Sequence, residues 1–270
     1  LFPKELRLAN YYLENIEKRG FDVTFSSNFV DLETAVANMS SEDCKVTPHF
    51  STKVNTFARN EALWIGVWDG NTCIATIAAK LTRLDGEPLI DWITRYWQQT
   101  YGPGSENKFS LGQQQKTKLS KITGDTIYEG EFKIHKDYRA RRETDNLELF
   151  RRMDGMTLSL ALLLRVYCFT FWRSAEFQYA YMADHHANIG LGSKHWFTTQ
   201  IPRALNWEQH PSQGESDYWL VGMDRTDYMD FVDQQHLELC APKSIDSCTS
   251  DSRQMSQTAE PVAYLKHGNS

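Results

Sequence analysis

Three groups of side chains in this sequence have the types and spacing to do chemistry together. Glu129 and Glu131 stand two apart in the alternating run IYEGEFKIH, residues Ile127 to His135. In a flat strand they leave from the face opposite Tyr128, Gly130, Phe132 and Ile134. Two carboxylates that close on a buried face push one pKa upward, which suits a base working near neutral pH. On an exposed face they are only solvent-side charges. The second group is Arg139, Arg141 and Arg142 in HKDYRARRETDN, where a strand pattern gives way to a helix start. Helix starts present unpaired N–H donors and a partial positive charge, and both suit an anionic phosphate. The plain alternative is a solvated basic face that also takes in Arg151 and Arg152. The third group, Tyr181, His185, His186 and Asn188, follows in FQYAYMADHHAN. Neighbours on a helix diverge by about 100°, so Asp184, His185 and His186, with His195 beyond, are not expected to share a metal ion.

The elements that must position these groups follow from periodicity. Leu6, Leu8, Tyr12, Leu13 and Ile16 recur at helical spacing before Gly20, and FDVTF alternates as a short strand. Ser26, Ser27 and Asn28 are candidate caps for a helix with Leu32, Val36 and Met39 on one face. EALWIGVWDGNTCIATIAAKL reads as a hairpin turning at Asp69-Gly70-Asn71. IDWITRYWQQTY predicts an aromatic-rich helix, and GPGSENKFSLGQQQKTKLS an exposed loop. A strand then leads to the arginines. Asp145 and Glu148 have capping-box spacing before a helical stripe through Leu147, Phe150, Leu158 and Leu162. FQYAYM is a strand, ADHHANIGLGSKHWF a helix or a broken one, SDYWLVGMD a strand and RTDYMDFVDQQH a short closing helix.

Composition sets the outer limits. Of 270 residues, 41% are hydrophobic and 24% charged, a globular balance that excludes a wholly disordered chain. The aromatic share is 13%, with eight Trp, so large flat side chains build the core. A net charge of −6 leaves no electrostatic footprint for nucleic acid. Five cysteines without CxxC spacing favour a reducing compartment over a disulfide framework or a zinc knuckle. The longest apolar run, Leu158 to Trp172, is shorter than the roughly 18 residues that span a bilayer and carries Arg165 in its middle. A soluble, cytoplasmic protein without membrane contact is therefore expected. GxSxG, Walker and HExxH patterns are absent from the sequence.

The order helix, strand, helix, hairpin, strand, arginine-rich turn, helix, strand, helix, strand resembles the GNAT N-acetyltransferase superfamily over about residues 21–232. The resemblance implies an α/β fold with a mixed central sheet flanked by helices, and an insertion at about 85–126 between the third and fourth strands. Residues 1–239 would be a single domain and 240–270 a polar tail. In the family, the fourth strand ends in a turn reading Gln or Arg, two residues, Gly, one residue, then Gly or Ala, which holds the pyrophosphate of acetyl-CoA. Arg139 falls on the first position, Arg142 on the first glycine and Thr144 on the second. Ile134, Arg139, Arg141, Arg142, Thr144, Asp145 and Asn188 are thus the implied cofactor-binding set. Both glycines are missing: either the arginines replace part of that cradle or the site has lost its cofactor. The family's fifth strand parts from the fourth to admit the pantetheine arm. Its thiolate-protonating Tyr has no counterpart between Asn188 and Phe197, which leaves Tyr181 or His185 as substitutes. The implied activity is acyl transfer from acetyl-CoA or a related thioester to a small-molecule amine or a peptide, with Glu129 or Glu131 as base. A homodimer is also compatible with the resemblance. The rivals are a GNAT-like fold that only binds and an unrelated α/β interaction protein.

Overall fold

The computed structural model describes residues 3–39, 45–101, 109–139, 147–153, 155–208 and 217–241. Helix α1 (Pro3–Glu17) is followed by strand β1 (Asp22–Ser26) and helix α2 (Phe29–Asn38). The Asn28 side chain caps α2 by accepting from the Val30 N–H at 3.1 Å, as its residue type predicts. The hairpin is β2 (Ala62–Asp69) and β3 (Thr72–Thr82), and Gly70 takes the left-handed conformation its tight turn requires (φ 58°). Then come α3 (Leu89–Tyr101), β4 (Phe109–Leu111), α4 (Gln113–Leu119) and β5 (Thr126–Ile134). After β5, a 3-10 turn spans Lys136–Tyr138. Two helices follow, α5 (Leu147–Met153) and α6 (Met156–Phe171), with Gly155 between them at φ 72°. The expected single stripe is therefore broken into two helices. The chain finishes with β6 (Phe177–Ala183), the short helices α7 (Asp184–Asn188) and α8 (Leu191–Lys194), strands β7 (Thr199–Trp207) and β8 (Asp217–Asp224), and α9 (Arg225–Cys240).

The eight strands form one mixed sheet in the order β1-β2-β3-β5-β6-β8-β7-β4. All neighbours are antiparallel except β5 and β6. One face is buried under α1, α6 and α9. The other is covered by two clusters, one under α2 with the segment around Phe50 and one under α3 and α4. Leu160, Leu163, Leu164 and Phe169 of α6 are almost wholly buried, each worth about 1.5–3 kcal/mol relative to exposure. The stretch Arg151–Phe171, which takes in the end of α5 and all of α6, is long and apolar enough by composition to cross a membrane; most of its apolar window is packed inside the protein.

Two expectations change here. The polar stretch after α3 is no plain loop, since Phe109–Leu111 pairs as an edge strand with β7 and α4 buries Gln115 and Leu119. The stretch containing IPRALNW, given no element from its own pattern, is the strand β7 that receives it.

The strand carrying the carboxylates also departs from simple alternation. Glu131 has φ 54°, and the β3–β5 register slips between Thr76 and Ala78, marking a bulge. Ile127 packs on the α6 side and Tyr128 on the α2 and α3 side. Past the bulge, Phe132 and Ile134 join the α6 side as well. The extra residue reverses the phase, so the sequence-based faces hold only as far as Gly130.

A candidate active site at a strand fork

Strands β5 and β6 pair in parallel through Thr126↔Phe177, Ile127↔Gln178 and Tyr128↔Tyr179. Beyond that rung no pairing joins them, although β5 continues to Ile134 and β6 to Ala183. Each arm is held on its outer edge, β5 by β3 up to Ile134 and β6 by β8 up to Ala183. The result is a fork with inner edges released from the ladder.

Because of the bulge, the two carboxylates lie on opposite faces of β5, which corrects the expectation that they share one. Glu131 is 5% exposed. Its Oε1 accepts from the Thr47 N–H at 2.7 Å, and Lys133 Nζ lies 3.1 Å from Oε2. It sits on the side of Tyr101 and Tyr128, whose hydroxyls are held well above the usual range by burial and by neighbouring charges that include Glu131. Glu129 faces α6 instead. Its carboxylate accepts from Gln178 Nε2 at 2.5 Å and lies 3.9 Å from the Arg165 guanidinium. Burial raises its pKa, opposed by Arg165 and Gln178, so the upward push comes from desolvation and not from the second carboxylate.

Tyr181, on the free arm of β6, shares the aromatic cluster on Glu131's side. Its hydroxyl accepts from Gln115 Nε2 at 2.8 Å, and its ring meets Trp97 at 5.4 Å. Burial raises its pKa, so it keeps its proton. Ile134 ends the other arm and packs toward α6. Asn188 is exposed at the end of α7, where it donates to Asp184 Oδ2 at 2.6 Å. The His185 and His186 rings lie 3.8 Å apart. Arg139 is exposed and turns its Nε back to the carbonyl of Ile134 at 3.2 Å. Arg141, Arg142, Thr144 and Asp145 lie outside the described residues.

Arg152 does not belong to a solvated basic face. It donates to both oxygens of Asp69, at 3.1 and 3.3 Å, and to the carbonyls of Arg19 and Gly20, tying α5 to the hairpin turn. Its hydrogen bonds hold the Asp69 carboxyl below the ordinary range. A cleft of about 560 Å³ opens beside the turn after β5, lined by Asp69, His135, Asp137, Tyr138, Glu148 and Arg152 among others.

Several residues near the fork had no local signal. His49, Lys80, Tyr96 and Tyr101 form a buried network under α3. Lys80 Nζ donates to the His49 carbonyl at 3.1 Å and to Tyr96 Oη at 2.6 Å, and Tyr101 Oη lies 3.1 Å from His49 Nε2. Arg165 was visible as a charge inside an apolar run, but its partners, Glu129 and the His195 carbonyl, come from other elements.

No protein-family model and no curated protein matches the sequence. Among solved structures, the fold is similar to NAA60 of Arabidopsis thaliana, crystallised with acetyl-CoA. That match has 16% identity and a TM-score of 0.40, over 76% of this chain and 99% of that one. A polyamine N-acetyltransferase of Drosophila melanogaster, which forms N-acetylagmatine, matches at 8% identity and a TM-score of 0.37, over 75% and 100% of the two chains. FeeM, an N-acyl amino acid synthase from uncultured soil microbes, matches at 12% identity and a TM-score of 0.30, over 85% and 89%. These are likenesses of fold.

Proposed function

We propose that this protein transfers an acyl group from a coenzyme A thioester to an amine, by direct attack within a ternary complex. The observation that carries the reading is the fork, where two parallel strands are released after three rungs beside the buried carboxylate of Glu131. An extended arm bearing amides can lie in such an opening and pair with the free strand edges, as a peptide adds to an open sheet edge. The opening also lies at the carboxyl ends of parallel strands, where α/β sheets that diverge commonly take ligands.

The chemistry follows from the charges. A protonated amine has no lone pair to give, so Glu131 takes its proton first. The amine nitrogen then attacks the thioester carbonyl carbon, and a backbone N–H on the inner edge of β5 donates to the oxygen as negative charge develops there. The carbon–sulfur bond breaks as Tyr181 passes its proton to the leaving thiolate, and the second proton of the former amine nitrogen returns to the Tyr181 oxygen, so that the phenol ends neutral. Glu129 lies on the opposite face of β5, toward α6, away from Tyr181 and the aromatic cluster, and is not assigned as the base. Ile134, at the end of one arm, and Asn188, in the helix that follows the other, are assigned to the donor. Arg139, Arg141, Arg142, Thr144 and Asp145 receive the diphosphate at the strand-to-helix turn. A second reading, a fold that binds a ligand without catalysis, draws on the Arg139 side chain turned toward its own strand and on the absence of glycines from that turn.

Calorimetry with acetyl-CoA and an amine-dependent thiol-release assay test the proposal. Glu131→Gln should bind the donor as wild type does and lose at least about 100-fold in turnover, the scale of a general base. Donor binding without thiol release across a broad amine panel would establish the binding-only reading. A wild-type protein that binds no coenzyme A thioester would end both.

A further inference from the structure

Backbone pairing between β5 and β6 ends at Tyr128↔Tyr179, and a side-chain bond straddles this last rung, from Glu129 just beyond it on β5 to Gln178 just before it on β6. Glu129 Oε2 accepts from Gln178 Nε2 at 2.5 Å, a bond from one strand to the other. Arg165 reaches from α6 to place Nη2 3.9 Å from the same oxygen, an ion pair without a hydrogen bond, while its Nη1 donates to the carbonyl of His195, just after α8. One guanidinium thus addresses β5 directly, β6 through the Glu129–Gln178 bond, and the segment that follows β6. Arg165 and Gln178 have no exposed surface. The guanidinium also lies 4.2 Å from the centre of the Phe197 ring.

A network of this kind is a poor source of stability. Apolar side chains of the same volume often serve a core as well or better, whereas removing one partner strands a buried charge. What charge-assisted hydrogen bonds supply is direction. The fork needs direction, because paired strands sit about 4.8 Å apart, so one extended arm between two edges requires roughly twice that spacing. A narrower fork recloses the ladder, and a wider one loses an edge.

We propose that Arg165, Glu129 and Gln178 are positioning residues that set the width of the strand fork, so that the amide arm of the acyl donor meets both inner edges. The inference rests on reading the fork as the donor slot. It assigns the α6 face of β5 to geometry and leaves the Glu131 face to chemistry.

The test replaces the network in two ways. The triple variant Arg165→Met, Glu129→Leu, Gln178→Leu removes its polar groups at similar volume, and Glu129→Gln removes the charge while retaining the shape. Hydrogen exchange is read at Gly130–Phe132 and Ala180–Met182, alongside melting temperature and acetyl-CoA titration. The triple variant should melt at or above the wild-type temperature, exchange at least tenfold faster at those amides and bind acetyl-CoA at least tenfold more weakly. Glu129→Gln should move exchange and affinity in the same direction by less, and it decides the matter if the triple variant does not fold. Wild-type exchange and wild-type affinity in the folded variant overturn the positioning role. Wild-type protein that binds no acetyl-CoA overturns the donor slot, and the exchange measurement then decides alone whether the network holds the fork.

Discussion

Lys80 shows how far surroundings can move a residue from the behaviour of its type. It is buried on β3 among Tyr96, Phe50 and Tyr128, with the Tyr96 ring centre 4.1 Å from its ammonium. Burial lowers its pKa to about 7. The sign of the consequence follows from proton counts. Between pH 7 and the unfolded value near 10.5, the unfolded chain binds the proton and the folded chain does not, so stability rises with pH across that window. Below pH 7 both states are charged and the full cost of burial remains, on the order of a few kcal/mol. Lys80→Met should therefore melt higher than wild type at pH 6, and the gap should shrink as the pH approaches 10. Thermal melts at three pH values check this, and a gap independent of pH would show that the folded lysine keeps the pKa of the unfolded chain. His195 works in the opposite range: burial holds it at about 4, so stability should fall as the pH drops from 6.5 toward 4.

At the scale of elements, the bulge in β5 decides the site. A one-residue insertion reverses every side chain beyond it, which is how Glu131 leaves the face that Glu129 keeps. Gly130 lies beside the bulge, and a Cβ there would stand 2.6 Å from Cε2 of Phe50. Gly130→Ala should accordingly destabilise the protein by about 1–3 kcal/mol, as overpacking does, and displace the segment around Phe50 that supplies Thr47 to Glu131. Denaturant unfolding measures the loss, and an unchanged midpoint would mean that Phe50 yields without cost. The hairpin was legible because Asp69-Gly70-Asn71 carries its own turn chemistry. Strand β4 was not, because Phe109 acquires its strand conformation by pairing with Trp207, far along the chain.

For the molecule as a whole, a ligand that binds only the folded state must stabilise it. At 100 times its dissociation constant the gain is about 2.7 kcal/mol, visible as a rise in melting temperature. Arg142→Ala should cut the rise produced by acetyl-CoA, each charge-assisted contact being worth about 1.5–3 kcal/mol, and added salt should weaken the wild-type response if the contacts are exposed. Arg139→Ala should matter less, since its Nε is already turned to Ile134. Equal shifts in all three proteins would take the arginines out of the donor site and leave the fork to bind alone.

The sequence by itself determined the features that depend on a few neighbouring residues: the capped start of α2, the hairpin turn, and the presence of strands at β5, β6 and β8. Capping, turn chemistry and alternation all act within one or two turns of chain, so they survive without knowledge of the fold. The tertiary structure alone decided which face each carboxylate occupies, that β5 and β6 part after Tyr128, and that Arg165 meets Glu129. Those outcomes depend on register with β3, on which edge finds a partner and on what desolvates a charge, and each of these is set by residues distant in sequence.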